Sequence, residues 1–423
     1  MSLSSLRTAD IGDPQALRDA GAQWLSLALI DSRNRSLRWL SAFEAKAQTA
    51  PQPPGPAPAW RIGQLAWFQE FWIARHLQRG RGERADPQGP RLASIEPNAD
   101  AWFAPRPGVP GQRRGPAGAH QAGSRDDQAG LPAYQTGLRD YLAATLEATL
   151  ELLEKCDDRA ECLYFYRLAL LHEDRVAEAL AAAARAIDLP LGADAGLIPA
   201  WPARGRREPI GFGSQTVLLG TPGAGFAPDN ERPAVAVQVP EFEIDAQPVC
   251  WAQFAEFAID DGYDERRWWS SEGWAALAAS GRRAPRYVEQ LAGGVLLRHQ
   301  GQVQRAPQGQ SVLHANWYEA DAFCRWAGRR LPTEAEWALA VQQATALGFA
   351  WGDGFEWMAG RAHRWAGQVD GPARLDAADA GPCGRVLRGS SPVTLPRLRH
   401  PLARRCAAAD RDELFCGFRS CAL

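Results

Sequence analysis

The sequence predicts a two-domain protein, a four-helix bundle followed by an α+β domain. At 423 residues the chain exceeds the ~100–200 residues of one ordinary domain. Its first half places apolar residues at helical spacing. Beyond Pro209 the texture changes to short β-like runs broken by Gly, Pro and Asp. These observations put the bundle at 1–195 and the second domain at 196–423.

The first helix is expected to start at Asp13-Pro14, an N-cap acceptor followed by a residue preorganised for the first turn, and to continue through Leu17, Trp24, Leu25 and Leu29. After the Pro-rich loop 51–60, Ile62, Leu65, Trp67, Phe68, Phe71 and Trp72 predict an aromatic helix. From about 80 to 132 the chain turns to Gly, Pro, Arg and Asp, which predicts a long loop with a mobile stretch at PRPGVPGQRRGPAGAHQAGSRDD. Leu138, Leu142, Leu146, Leu150 and Leu153 then mark a third helix, and a fourth spans about Cys162 to Ile187. Four such helices predict an antiparallel bundle. In the second domain TVLLG (216–220), VAVQV (235–239) and FEI (242–244) read as strands, with helices at 250–258 and 317–328 and loops thereafter.

Charged residues make up 23% and the formal net charge is -2, which gives no reason to expect nucleic acid or an anionic membrane as partner. The N-terminus lacks the basic-then-apolar signal pattern and no run reaches membrane-spanning length, so a cytoplasmic location is expected. Eight cysteines without a C-x-x-C pair suggest neither a disulfide framework nor a structural zinc site.

Several motifs are specific enough to carry a resemblance. WYEADAFCRWAGRRLPTEAEWALA (317–340), FAWGDGFEWMAG (349–360), RVLRGSS (385–391) and LFCGFRSCA (414–422) resemble the formylglycine-generating-enzyme fold, a C-type-lectin-like domain also called a sulfatase-modifying factor domain. Within it Thr333 and Glu336 have the spacing of a capping box over Trp337. Combined with APAWRIGQLAWFQEFWIAR (57–75), LYFYRLALLHEDRVAEAL (163–180), PDNE (228–231) and GYDERRWWSSEGW (262–274), the chain resembles the ergothioneine-type sulfoxide synthases, and most closely their selenoneine synthase branch. The resemblance implies a DinB-like bundle joined to that domain. It also implies an oxidoreductase that uses non-haem Fe(II) and O₂ to bond sulfur or selenium to hercynine, a small-molecule substrate.

The same resemblance implies three His ligands for iron, one on the second helix and two at i and i+4 on the last. Here the three positions hold Gln64, His172 and Val176. A carboxamide is a poor ligand for Fe(II) and an isopropyl group is none. His76 lies twelve residues past Gln64, ~18 Å along a helix. Glu173 points about 100° away from His172. The segment also lacks the second His of an H-E-x-x-H zinc motif. His172 is therefore the one metal candidate, with a core imidazole among Leu168, Ala169, Val176 and Ala179 as its ordinary alternative.

By the same resemblance Trp365 stands where the family has a catalytic tyrosine, and Pro392 where it has an aromatic. Substrate-binding candidates are Trp357, Arg405 and Arg411, the last two within an Arg cluster suited to clamping a carboxylate. True formylglycine generation needs two cysteines five residues apart. Cys406 fits the second, but Pro401 holds the place of the first. Two readings stay open: a family enzyme with an altered metal site, and a non-catalytic paralogue binding a hercynine-like ligand or a protein partner.

Overall fold

The computed structural model describes residues 11–46, 51–104, 135–191, 196–223, 225–372 and 384–423. Its helical half is a four-helix bundle of α1 (Ala22–Glu44), α2 (Pro58–Gln69, extended by a π turn Glu70–Ala74), α3 (Leu138–Glu154) and α4 (Ala160–Ala186). Helices α1 and α2 each pack on α3 and α4.

The first helix differs from the expectation. A single turn, Ala16–Asp19, ends before Gly21, and α1 starts at Ala22. The break comes from a distant carboxylate: Asp158 Oδ1 accepts from the Ala22 N–H at 2.7 Å, filling one of the donor positions a helix start leaves open. A Cβ on Gly21 would lie 2.7 Å from the same oxygen, so a side chain there would push the Asp158 carboxylate off the helix start.

The segment expected as a long loop is also partly corrected. From 80 to 104 the chain packs back on the bundle around the buried Glu70 carboxylate. That group accepts from Ser94 Oγ and Tyr141 OH, both at 2.7 Å, and from the Ile95 N–H at 2.6 Å. Arg75 adds a bidentate pair to Asp100 at 2.8 Å. The stretch expected to be mobile, 105–127, lies outside the described residues.

The second half holds more strand than expected. Strands β1 (Ile210–Phe212) and β4 (Phe242–Ile244) pair, as do β2 (Gln215–Leu219) and β3 (Val235–Val239), all antiparallel. Strands β5 (Val288–Gln290), β6 (Leu296–His299) and β7 (Gln302–Arg305) form an antiparallel meander. The sheet nearest the bundle runs β10-β9-β8-β11, from β8 (Gly354–Arg361), β9 (Arg385–Ser390), β10 (Arg404–Ala407) and β11 (Cys416–Gly417), with only the β8–β11 pair parallel. Helices α5 (Trp251–Ile259), α6 (Ser271–Ser280), α7 (Trp317–Trp326) and α8 (Glu334–Gln343) accompany these sheets.

The two halves share one buried boundary. Phe226, Leu313, Leu398 and Phe415 belong to the same apolar core as the bundle. Arg397 crosses to Asp174 on α4 at 2.6 and 2.8 Å and to Asp31 on α1 at 2.8 Å. Burial opposes the Arg397 charge, but the two carboxylates outweigh it and hold the guanidinium above its ordinary pKa. No helix among the described residues is long and apolar enough to cross a membrane.

Candidate functional site

Between the bundle and the four-stranded sheet lies a cleft of ≈ 600 Å³. Helix α4 builds one wall. His172 and Val176, at i and i+4, share a face, and Ala179, Ala182, Ala183 and Ala186 continue it towards the C-terminus. These small side chains leave space where Leu or Phe would fill it. Gln64 enters from α2, so the structure brings all three expected ligand positions to one cleft. The imidazole of His172, 6% exposed, stacks on Phe68 with centroids 4.1 Å apart.

The opposite wall comes from the sheet and the loop after it. Arg405 and Cys406 on β10 line it, with Phe355, Arg411, Glu413 and Phe415 around them. Arg405 spans the cleft, pairing with Glu178 of α4 at 2.5 Å while its guanidinium lies 4.5 Å over the Phe355 ring. Arg411 pairs with Glu413. Of the sequence-predicted binding residues, Arg405 and Arg411 both line this cleft.

The two tryptophans do not reach the cleft. Trp357 is fully buried in the second core, and its indole N–H donates to Ala315 O at 2.9 Å. Phe355 lines the cleft, whereas Trp357, two residues on and so on the same face of β8, is covered instead by the core that holds Phe323 and Phe254. Trp365 lies in the third core against β2 and β3, with Arg404 stacked 4.9 Å from its ring. Trp365 is not among the residues that line the cleft, and one of its indole carbons lies 2.5 Å from where a Gly220 Cβ would sit.

The other candidate metal donors are committed elsewhere. Glu173 takes Arg33 Nε at 2.9 Å and Ser36 Oγ at 2.8 Å. His76 is locked too: Nδ1 accepts the Gln78 N–H at 3.1 Å, so Nε2 donates to Asp86 O at 3.0 Å. Burial also depresses its pKa and favours that neutral ring. Among the described residues no group of three His, Cys, Asp or Glu side chains gathers to hold a metal ion. One imidazole, one carboxamide and one isopropyl group do not fit a three-His iron centre.

Sequence reasoning missed Glu178 and the alanine face of α4. The spacing Val176, Ala179, Ala183 and Ala186 carried the second signal. Glu178 carried none, because its partner Arg405 is a strand residue far along the chain.

Comparison with known proteins places this architecture. Residues 213–382 match the sulfatase-modifying factor enzyme 1-like domain family. Hercynine oxygenase of Mycolicibacterium thermoresistibile is 30% identical over 336 residues, 78% of this chain and 69% of that protein. Hercynine oxygenase of Mycobacterium tuberculosis is 26% identical over 447 residues, covering 93% of this chain and 97% of that one. The formylglycine-generating enzyme of Streptomyces coelicolor is 34% identical over 164 residues, 34% of this chain and 51% of that enzyme. An identity of 30% over 78% of this chain and 69% of the relative shows that the chain belongs to the hercynine oxygenase family, an ergothioneine-type sulfoxide synthase-like group that carries a formylglycine-generating-enzyme-like domain.

Proposed function

We propose that the cleft binds a hercynine-like amino-acid betaine and that iron- and O₂-dependent bond formation on it has been lost in this chain. One observation carries the reading: Gln64, His172 and Val176 lie on one wall of the ≈ 600 Å³ cleft and face Arg405 and Arg411 across it. The ligand's space is kept while two of the three imidazoles are not.

The chemistry of the walls suits such a zwitterion. A carboxylate matches the planar guanidinium of Arg405 or Arg411, which presents paired donors. A trimethylammonium group matches the aromatic surface of Trp60 and Phe415, at ~0.5–2 kcal/mol per ring by cation–π attraction. The His172 ring and the Gln64 amide supply hydrogen-bonding partners for an imidazole. None of these contacts needs a metal.

Calorimetric titration of the full chain with hercynine, run anaerobically with and without Fe(II), tests the reading. Expected are saturable binding that Fe(II) leaves unchanged, weakening on Arg411→Ala, and iron below stoichiometric after loading. Stoichiometric Fe(II) that is lost in His172→Ala overturns the loss of iron chemistry. Absence of heat at millimolar hercynine overturns the ligand and turns the cleft towards a protein partner.

A further inference from the structure

Where α4 ends, its last turn and the segment around β5 and β6 enclose a second, open groove of ≈ 610 Å³. It meets the main cleft at Ala186 and Arg286, which line both. Five arginines line it, at 185, 282, 283, 286 and 298, while the carboxylates on its wall are Asp188 and Glu289.

The compensation of these charges is uneven. Arg282 and Arg286 share the single carboxylate of Asp412. Arg283 and Arg298 hold exposed partners, Asp264 at 2.7 Å and Glu289 at 2.6 Å, which water screens. Arg185 is the informative one. Its side chain is 2% exposed, yet its carboxylate contact is Asp188 Oδ1 at a long 3.4 Å. The second oxygen of Asp188 accepts the Gly301 N–H at 2.8 Å. Arg185 Nε has no hydrogen-bond partner, and the guanidinium lies 4.0 Å over the Tyr287 ring.

A buried guanidinium with an unused donor is costly unless an anion completes it. The backbone beside it is unusual as well: Asp188 and Tyr287 have φ of 50° and 67°, left-handed values that side-chain-bearing residues adopt rarely. Such conformations gather where a site needs a fixed shape.

We propose that this groove is an oxyanion-binding site for the phosphate or carboxylate group of a small molecule. Arg185 forms its floor, stacked on Tyr287, and Arg286 and Arg298 supply further donors at its rim. The site stands apart from the hercynine reading, and its test uses no hercynine.

The full chain is titrated calorimetrically with inorganic phosphate and separately with succinate, at ionic strength held constant with chloride. Saturable binding of phosphate assigns a phosphate group, and binding of succinate alone assigns a carboxylate. Arg298→Gln and Arg286→Gln are each expected to weaken binding roughly tenfold, the worth of one charge-assisted contact. Arg185→Gln is expected to abolish it; should that variant fail to fold, the two rim variants still decide. No binding of either anion below about 10 mM, or rim variants that bind as tightly as the parent, overturns the site.

Discussion

His172 and Phe68 lie ring on ring, centroids 4.1 Å apart and planes 15° from parallel. Phe68 is one helical turn beyond Gln64, so this stack fixes α4 against α2 at the level of the expected ligand positions. We expect His172→Ala and Phe68→Ala each to destabilise the fold by ~1–3 kcal/mol. A double-mutant cycle in urea should return a coupling of ~0.5–1.5 kcal/mol, the usual worth of a ring pair beyond its burial. Zero coupling would mean that the stack contributes nothing.

The helical frame around the cleft predicts that iron binding can be rebuilt. Gln64→His with Val176→His places three imidazoles on the cleft walls, two at i and i+4 on α4. Stoichiometric Co(II) or Fe(II) uptake, read by visible spectroscopy and metal analysis, is expected for the double variant and for neither single one. Failure of the double variant would show that α2 and α4 stand too far apart to converge on one ion.

Trp357 predicts a separation of stability from ligand binding. Because it is fully buried with its indole N–H bonded to Ala315 O, Trp357→Ala should cost ~3–5 kcal/mol. Trp357→Phe should cost less and leave hercynine affinity unchanged. A selective loss of affinity in Trp357→Phe, at parental stability, would return this residue to the site.

Glu319 predicts a pH dependence. Burial pushes its carboxyl up to about 7, against the Asn316 N–H and the Tyr263 hydroxyl that donate to it at 2.8 Å each. An acid with a raised pKa in the folded state binds a proton there that the unfolded chain has released. Stability should therefore fall as pH rises from the ordinary Glu range to about 7, by ~2–3 kcal/mol at most. Glu319→Gln keeps one acceptor oxygen, which can serve the Asn316 N–H while the Tyr263 hydroxyl turns to accept from the new amide. Lacking a titrating proton, it should flatten that slope in denaturant titrations at pH 5, 6 and 7. An unchanged slope would assign the pH dependence to another group.

Local patterns were legible in the sequence and distant pairings were not. The spacing of Leu138, Leu142 and Leu153 gave α3, and Thr333 with Glu336 gave a capping box that the structure closes at 3.2 and 2.7 Å over a fully buried Trp337. The equivalent box of Asn316 and Glu319 at α7 was just as local but went unread. At the cleft, Gln64, His172 and Val176 were picked out by the family resemblance, and helical spacing then puts His172 and Val176 on one face. That Trp357 and Trp365 fall outside the cleft lining was not legible, because their places depend on strand pairing and on how the chain leaves β8. Neither leaves a short-range trace. Nor does the Arg405–Glu178 pair, whose partners meet only when the sheet docks on the bundle.

The reach of Arg397 into the bundle also bears on how the chain can be cut. Asp174, two residues past His172, is fully buried, and its charge is met by Ser32 at 2.7 Å and by Arg397 from the far half of the chain. A bundle produced alone keeps the hydroxyl, loses the guanidinium and uncovers the apolar boundary it shares with Phe226, Leu313, Leu398 and Phe415. The C-terminal piece alone carries the mirror defect. The two fragments should therefore behave as obligate complements, poorly folded apart and restored on mixing, and the intact chain should melt in one cooperative transition.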